Sequence, residues 1–228
     1  MSKLNWLIST LLTGTLIVFL FGSCSYIERY LSGEDDKGPA ELMDKGLNDL
    51  DAGRYSDASV AFQDIKDRYP YSKYAITAEL KMAEALYRQK EYEQAYEAYD
   101  EFERLHPKNQ EIPNVIFQKG MCYLEQVKSI DRSQLHTLKA KEEFERLVRK
   151  FPRTKHANMG RKKLRKCYLY LAEYELYVGH YYYRMGKYRA AMARFSYIIE
   201  NYPDLGQYHE AMDYISRCRE KLEEVEEL

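Results

Sequence analysis

Four stretches decide the fold: "YSDASVAFQDIKDRYP" (55–70), "YEQAYEAYDEFERLHP" (92–107), "TLKAKEEFERLVRKFP" (137–152) and "YRAAMARFSYIIENYP" (188–203). Each sets an Ala, an aromatic residue four later, an apolar residue seven later and a Pro twelve later. The sets are Ala58/Phe62/Ile65/Pro70, Ala95/Tyr99/Phe102/Pro107, Ala140/Phe144/Leu147/Pro152 and Ala191/Phe195/Ile198/Pro203. Steps of four and seven place side chains on one face of an α-helix, and Pro, with no N–H to give, ends it. Gly46, Ala83 and Gly179 each stand twelve residues before the Ala of their set, where two helices must approach closely. The spacing predicts an all-α chain of paired helices stacked as a solenoid.

The pattern resembles the tetratricopeptide repeat, a pair of antiparallel helices joined by a short turn. "AGRY", "QKEY" and "MGKY" read as those turns, with Tyr55, Tyr92 and Tyr188 opening the second helices. Pro70 and Pro107 stand 37 residues apart, Pro107 and Pro152 stand 45 apart, and Pro152 and Pro203 stand 51 apart. The second interval implies an insertion in "EQVKSIDRSQLHT". The third implies a long helix within "HANMGRKKLRKCYLYLAEYELYVGHYYYRMG". About four and a half helix pairs result, with repeats near 39–72, 76–109, 113–154 and 157–205. A capping helix over 206–228 closes the tetratricopeptide domain of residues 39–228.

Ahead of the repeats, Lys3 precedes an uncharged run from Trp6 to Phe21, the length of a secretory h-region and short for a membrane span. Gly22 and Ser23 then lead into Cys24. This border resembles the lipobox of bacterial lipoproteins, although Phe21 stands where Leu is usual. Residues 1–23 are therefore expected to be a signal peptide, Cys24 the acylated N-terminus and 24–38 a tether. Covalent lipid on Cys24 is the one attached group expected, and Ser25 after it favours the outer membrane. Cys122, Cys167 and Cys218 remain, and whether any of them pair stays open at this point.

Composition is that of a globular chain, with 31% charged residues and a net charge of −1. Phosphate loops, HExxH, CxxC and the nucleophile elbow are absent from the sequence, and its five histidines are scattered, so neither an enzyme nor a metal site is expected. One basic stretch stands out: residues 139–166 hold twelve Lys/Arg against Glu142, Glu143 and Glu145. In an exported lipoprotein this excludes nucleic acid and suits an acidic protein partner, anionic lipid or plain solvation.

The leader, "DRYPYSKY", the insertion with "DRSQLHTLKAKEEFERLVRKFPRTKHA", and "YELYVGHYYYRMGKYRAAM" before "NYPD" together resemble the BamD family, also called YfiO or ComL. That resemblance covers residues 20–218. It implies an outer-membrane lipoprotein facing the periplasm within the β-barrel assembly machinery. Implied partners are the POTRA domains of a BamA-like barrel subunit, other Bam lipoproteins and unfolded outer-membrane proteins. Counting along the first helices, Leu47, Leu50, Leu80, Tyr87, Phe117 and Met121 are candidates for an apolar substrate groove. Arg194, about 100° around the helix from Phe195, is the candidate for an interface salt bridge. The competing function on the same fold is another tetratricopeptide lipoprotein, serving type IV pilus secretin assembly or cell-wall coordination.

Overall fold

The computed structural model describes residues 37–129, 132–203 and 205–226. The expected signal peptide, Cys24 and the tether up to residue 36 lie outside them. All secondary structure among the described residues is helical: α1 (Pro39–Asp51), α2 (Tyr55–Arg68), α3 (Ala75–Arg88), α4 (Tyr92–Leu105), α5 (Ile112–Leu124), α6 (Leu135–Lys150), α7 (Lys155–Arg184), α8 (Tyr188–Asn201) and α9 (Gln207–Glu226). Consecutive helices pack on one another, and beyond that α7 also reaches α5 and α9. This is a tetratricopeptide-type solenoid.

Local chemistry sets the helix ends. In the three short turns, Gly53, Lys90 and Gly186 take φ values of 76°, 69° and 70°, the left-handed conformation that Gly adopts freely and Lys does not. The second helices stop at Tyr69, His106, Phe151 and Tyr202, whose φ lies between −124° and −136°. Each precedes a proline, which drives its neighbour out of the α region. Helix α7 begins under a side-chain cap, with Thr154 Oγ1 accepting the Ala157 N–H at 3.1 Å.

The repeating stripe is the core. All twelve of its Ala, aromatic and apolar members are at most 2% exposed. In repeats one, three and four the aromatic ring of the second helix packs closely against a glycine of the first. A Cβ added at Gly46, Gly120 or Gly179 would come within 2.5, 2.6 and 2.6 Å of Phe62, Phe144 and Phe195. Gly120 escapes the twelve-residue rule because the insertion lies between it and Ala140, although its place in the helix is unchanged.

Helix α7 has 30 residues, about 45 Å at 1.5 Å per residue. It serves two cores in turn. Ala157, Gly160 and Cys167 face α5 and α6, whereas Leu171, Ala172, Leu176 and Gly179 face α8 and α9. No Pro or Gly interrupts the stretch between Gly160 and Gly179, so the chain makes no turn between the two jobs. Helix α9 buries Ala211, Ile215 and Cys218 and continues into the polar sequence "REKLEE".

The three described cysteines are free and buried. Burial pushes the thiols of Cys122 and Cys167 up to about 12 and raises that of Cys218, so they behave as small apolar residues.

Candidate partner-docking surfaces

The densest group of ionisable side chains ties repeats two and three together. Lys119 on α5 is 3% exposed, and its Nζ reaches Asp100 and Glu103 of α4 at 2.6 and 3.1 Å. Glu143 of α6 lies 3.5 Å from the same nitrogen. Arg146 donates to both acids, to Glu103 Oε2 at 2.9 Å and to Glu143 Oε2 at 3.0 Å. Tyr96 donates to Glu143 at 3.4 Å, and its ring lies 4.5 Å from Tyr123. Burial would raise the Glu103 carboxyl, but hydrogen bonds from Arg146 and Lys119 overrule it and hold it at about 2. A carboxylate held so low cannot shuttle protons near neutrality. The group is a clasp between helices. No cluster suited to a metal occurs among the described residues.

The clasp also accounts for part of the basic stretch. Arg146 is spent internally, Lys139 lies over Tyr123 at 5.2 Å and Lys141 pairs with Glu145 at 3.5 Å. Of the remainder, Arg149, Arg153, Lys155, Arg161 and Lys162 lie exposed from the end of α6 along the first half of α7.

The candidates for an apolar groove fare differently from expectation. Leu50, Phe117 and Met121 are 3%, 5% and 7% exposed and belong to the core, which corrects their reading as groove-lining residues. From α3 onward a first helix packs on its own second helix and on the preceding one; Phe117 also meets His156 of the next repeat, and Leu50 joins the core shared by α1, α2 and α3. Leu47, Leu80 and Tyr87 are half-buried shoulders packed against the core. Tyr87 sets its edge to Tyr92 at 5.5 Å.

Arg194 keeps 43% of its side chain exposed, as its helical position requires, but it is not unpaired. Its Nη1 donates to Glu175 Oε2 at 3.1 Å and ties α8 to α7. On another face of α7, where Tyr177 stands about 200° around the helix from Glu175, runs an exposed stripe. Tyr177, Tyr181 and Met185 stand four residues apart, 43%, 49% and 57% exposed. The signal was present: an apolar series one residue out of phase with the buried Leu176. It went unread because the tyrosines around it serve the core as well.

The family described as YfiO, outer membrane lipoprotein, matches residues 35–227. Curated relatives named outer membrane protein assembly factor BamD occur in Rickettsia prowazekii (30% identical, covering 88% of this chain and 78% of the relative) and Caulobacter vibrioides (29%, covering 78% and 58%). The chain thus spans less than two thirds of the Caulobacter protein's length. Among solved structures, a thermophilic TPR protein from Thermus thermophilus aligns at a TM-score of 0.44 and 16% identity, over 81% of this chain and 99% of that one.

Proposed function

Since the chain belongs to the YfiO family of outer membrane lipoproteins, we propose that it is an outer membrane protein assembly factor, a lipid-anchored scaffold rather than an enzyme. The observation that carries this reading is the extent of the match, which takes in the whole helical array. Cys24 anchors the chain to the periplasmic face of the outer membrane. The array then holds the POTRA-bearing barrel subunit and, with other lipoproteins of the machinery, passes on unfolded outer-membrane proteins. No described helix is long and apolar enough to cross a membrane.

The surfaces divide the work. The stripe of Tyr177, Tyr181 and Met185 on one face of α7 and, separately, Arg194 on α8 supply exposed aromatic area and a guanidinium to the barrel subunit. Leu47, Leu80 and Tyr87 offer half-exposed apolar shoulders to substrate segments. A pull-down from detergent-solubilised outer membrane should recover the POTRA-bearing subunit, and recovery of a pilus secretin in its place overturns the reading. With purified POTRA domains, Arg194→Glu should weaken binding while the helices persist. Cys24→Ala should abolish incorporation of labelled fatty acid.

A further inference from the structure

The valley between α2 and α4, floored by α3, has a counterpart between α4 and α6, floored by α5. Equivalent positions lie 37 residues apart from α2 to α4 and from α3 to α5, and 45 apart from α4 to α6. By that count Lys119 replaces Met82, Glu143 replaces Ala98, Tyr96 replaces Ser59 and Tyr123 replaces Leu86. The second valley is filled by its clasp and by the tilted pair of Tyr96 and Tyr123. In the first, every one of those four fillers is smaller or uncharged. What remains is an open groove of about 630 Å³.

The groove has a definite chemistry. Met82, Leu86, Ala98 and Val60 supply its apolar part, and Val60 is 48% exposed. Asp64, Asp67, Glu97 and Glu101 line the rim, against one cation, Lys66. Lys66 is matched to Glu101 at 2.7 Å, and Asp67 accepts from Gln63 at 2.8 Å. Asp64 and Glu97 have no ion-pair partner among the described residues. An apolar trough with an acidic rim complements a bulky apolar side chain flanked by cations. The filled valley shows the same pairing within the chain, where Lys119 Nζ lies 5.0 Å from the centre of the Tyr96 ring between carboxylates.

We propose that the α2–α4 groove docks a polypeptide segment of a partner protein that carries aromatic or aliphatic side chains interleaved with Lys or Arg. The segment lies between the two second helices, with its apolar side chains on Met82, Leu86 and Ala98 and its cations on Asp64 and Glu97. This site is separate from the α7 stripe and stands whether or not the assembly reading holds, because it is tested on the purified protein alone.

The probe is a short fluorescein-labelled peptide alternating Tyr and Leu with Lys, followed by anisotropy, with an Asp-for-Lys peptide as control. The Lys peptide should bind and the Asp peptide should not. Met82→Lys with Ala98→Glu rebuilds the filled valley and should weaken binding about tenfold or more, helix content being retained. Asp64→Asn with Glu97→Gln leaves the floor intact and should weaken binding and flatten its salt dependence. That second pair decides the matter if the first does not fold. Equal binding of the two peptides, or unchanged affinity in the folded variants, overturns the proposal. So does a wild-type dimer in sedimentation that the peptide disperses, since the occupant is then a second copy.

Discussion

Two junctions of one backbone plan, α2 against α4 and α4 against α6, have been finished in opposite ways. Both keep an ion pair across the valley at the same place, Lys66–Glu101 in the first and Glu103–Arg146 in the second, with the signs exchanged. Around that pair the first junction has Met82 and Ala98, the second Lys119 and Glu143. The stripe of Ala, aromatic and apolar residues is common to both, so helix pairing does not depend on what fills the valley. Stability of the solenoid and identity of its surface thus reside in different residues, which leaves one junction free to stay open.

The largest expected effect comes from making the filled junction resemble the open one. Lys119→Met leaves Glu103 and Glu143 buried beside each other with Arg146 alone, and should cost about 3–5 kcal/mol in denaturant unfolding. Adding Glu143→Ala to it should recover part of that loss, because the unmatched charge goes too. Strict additivity of the two substitutions breaks the comparison.

Next in size is the contact beneath the same junction. Gly120→Ala puts a Cβ within 2.6 Å of the Phe144 ring, and the ring must move in a filled core. A loss of about 1–3 kcal/mol is expected from thermal unfolding. Ala83→Gly, at the matching place in repeat two, should cost nearer the helix propensity difference of about 1 kcal/mol.

Acid should separate the junctions too. Glu103 has a folded value near 2 against an ordinary 4.5. A depressed carboxyl contributes stability that is fully present above 4.5 and is lost as pH falls toward 2. Stability measured across that window should drop in the native chain and drop less in Glu103→Gln. Equal slopes count against the clasp.

The smallest effect is expected at the turn of repeat two. Lys90 adopts φ 69° where Gly53 and Gly186 serve in the neighbouring turns. Lys90→Gly should therefore stabilise by about 0.5–1 kcal/mol, read as a raised melting temperature.

The candidate site was less legible than the fold for a physical reason that Leu50 and Phe117 illustrate. Both are apolar residues off the repeating stripe, and both are buried: Phe117 lies against Phe144 of its own second helix and His156 of the next repeat, and Leu50 joins the core shared by α1, α2 and α3. Periodicity reports which face a residue occupies and carries no information about the neighbour that covers it. Arg194 shows the same limit: its exposure follows from the helix angle, but Glu175, 19 residues away on another helix, claims the guanidinium.

Sequence alone determined what depends on contacts within one helix pair. The Ala–aromatic–apolar–Pro rhythm requires helices that pair by that stripe and stop before proline, and the lack of a Pro or Gly between Gly160 and Gly179 permits one long α7. Tertiary structure decided what depends on residues brought together from different repeats. It placed Gly120 under Phe144 across the insertion, closed one valley with Lys119, Glu103, Glu143 and Arg146, and left the other open over Met82 and Ala98. Side-chain volume and charge at a junction act only once the helices are stacked, so no single helix carries their meaning.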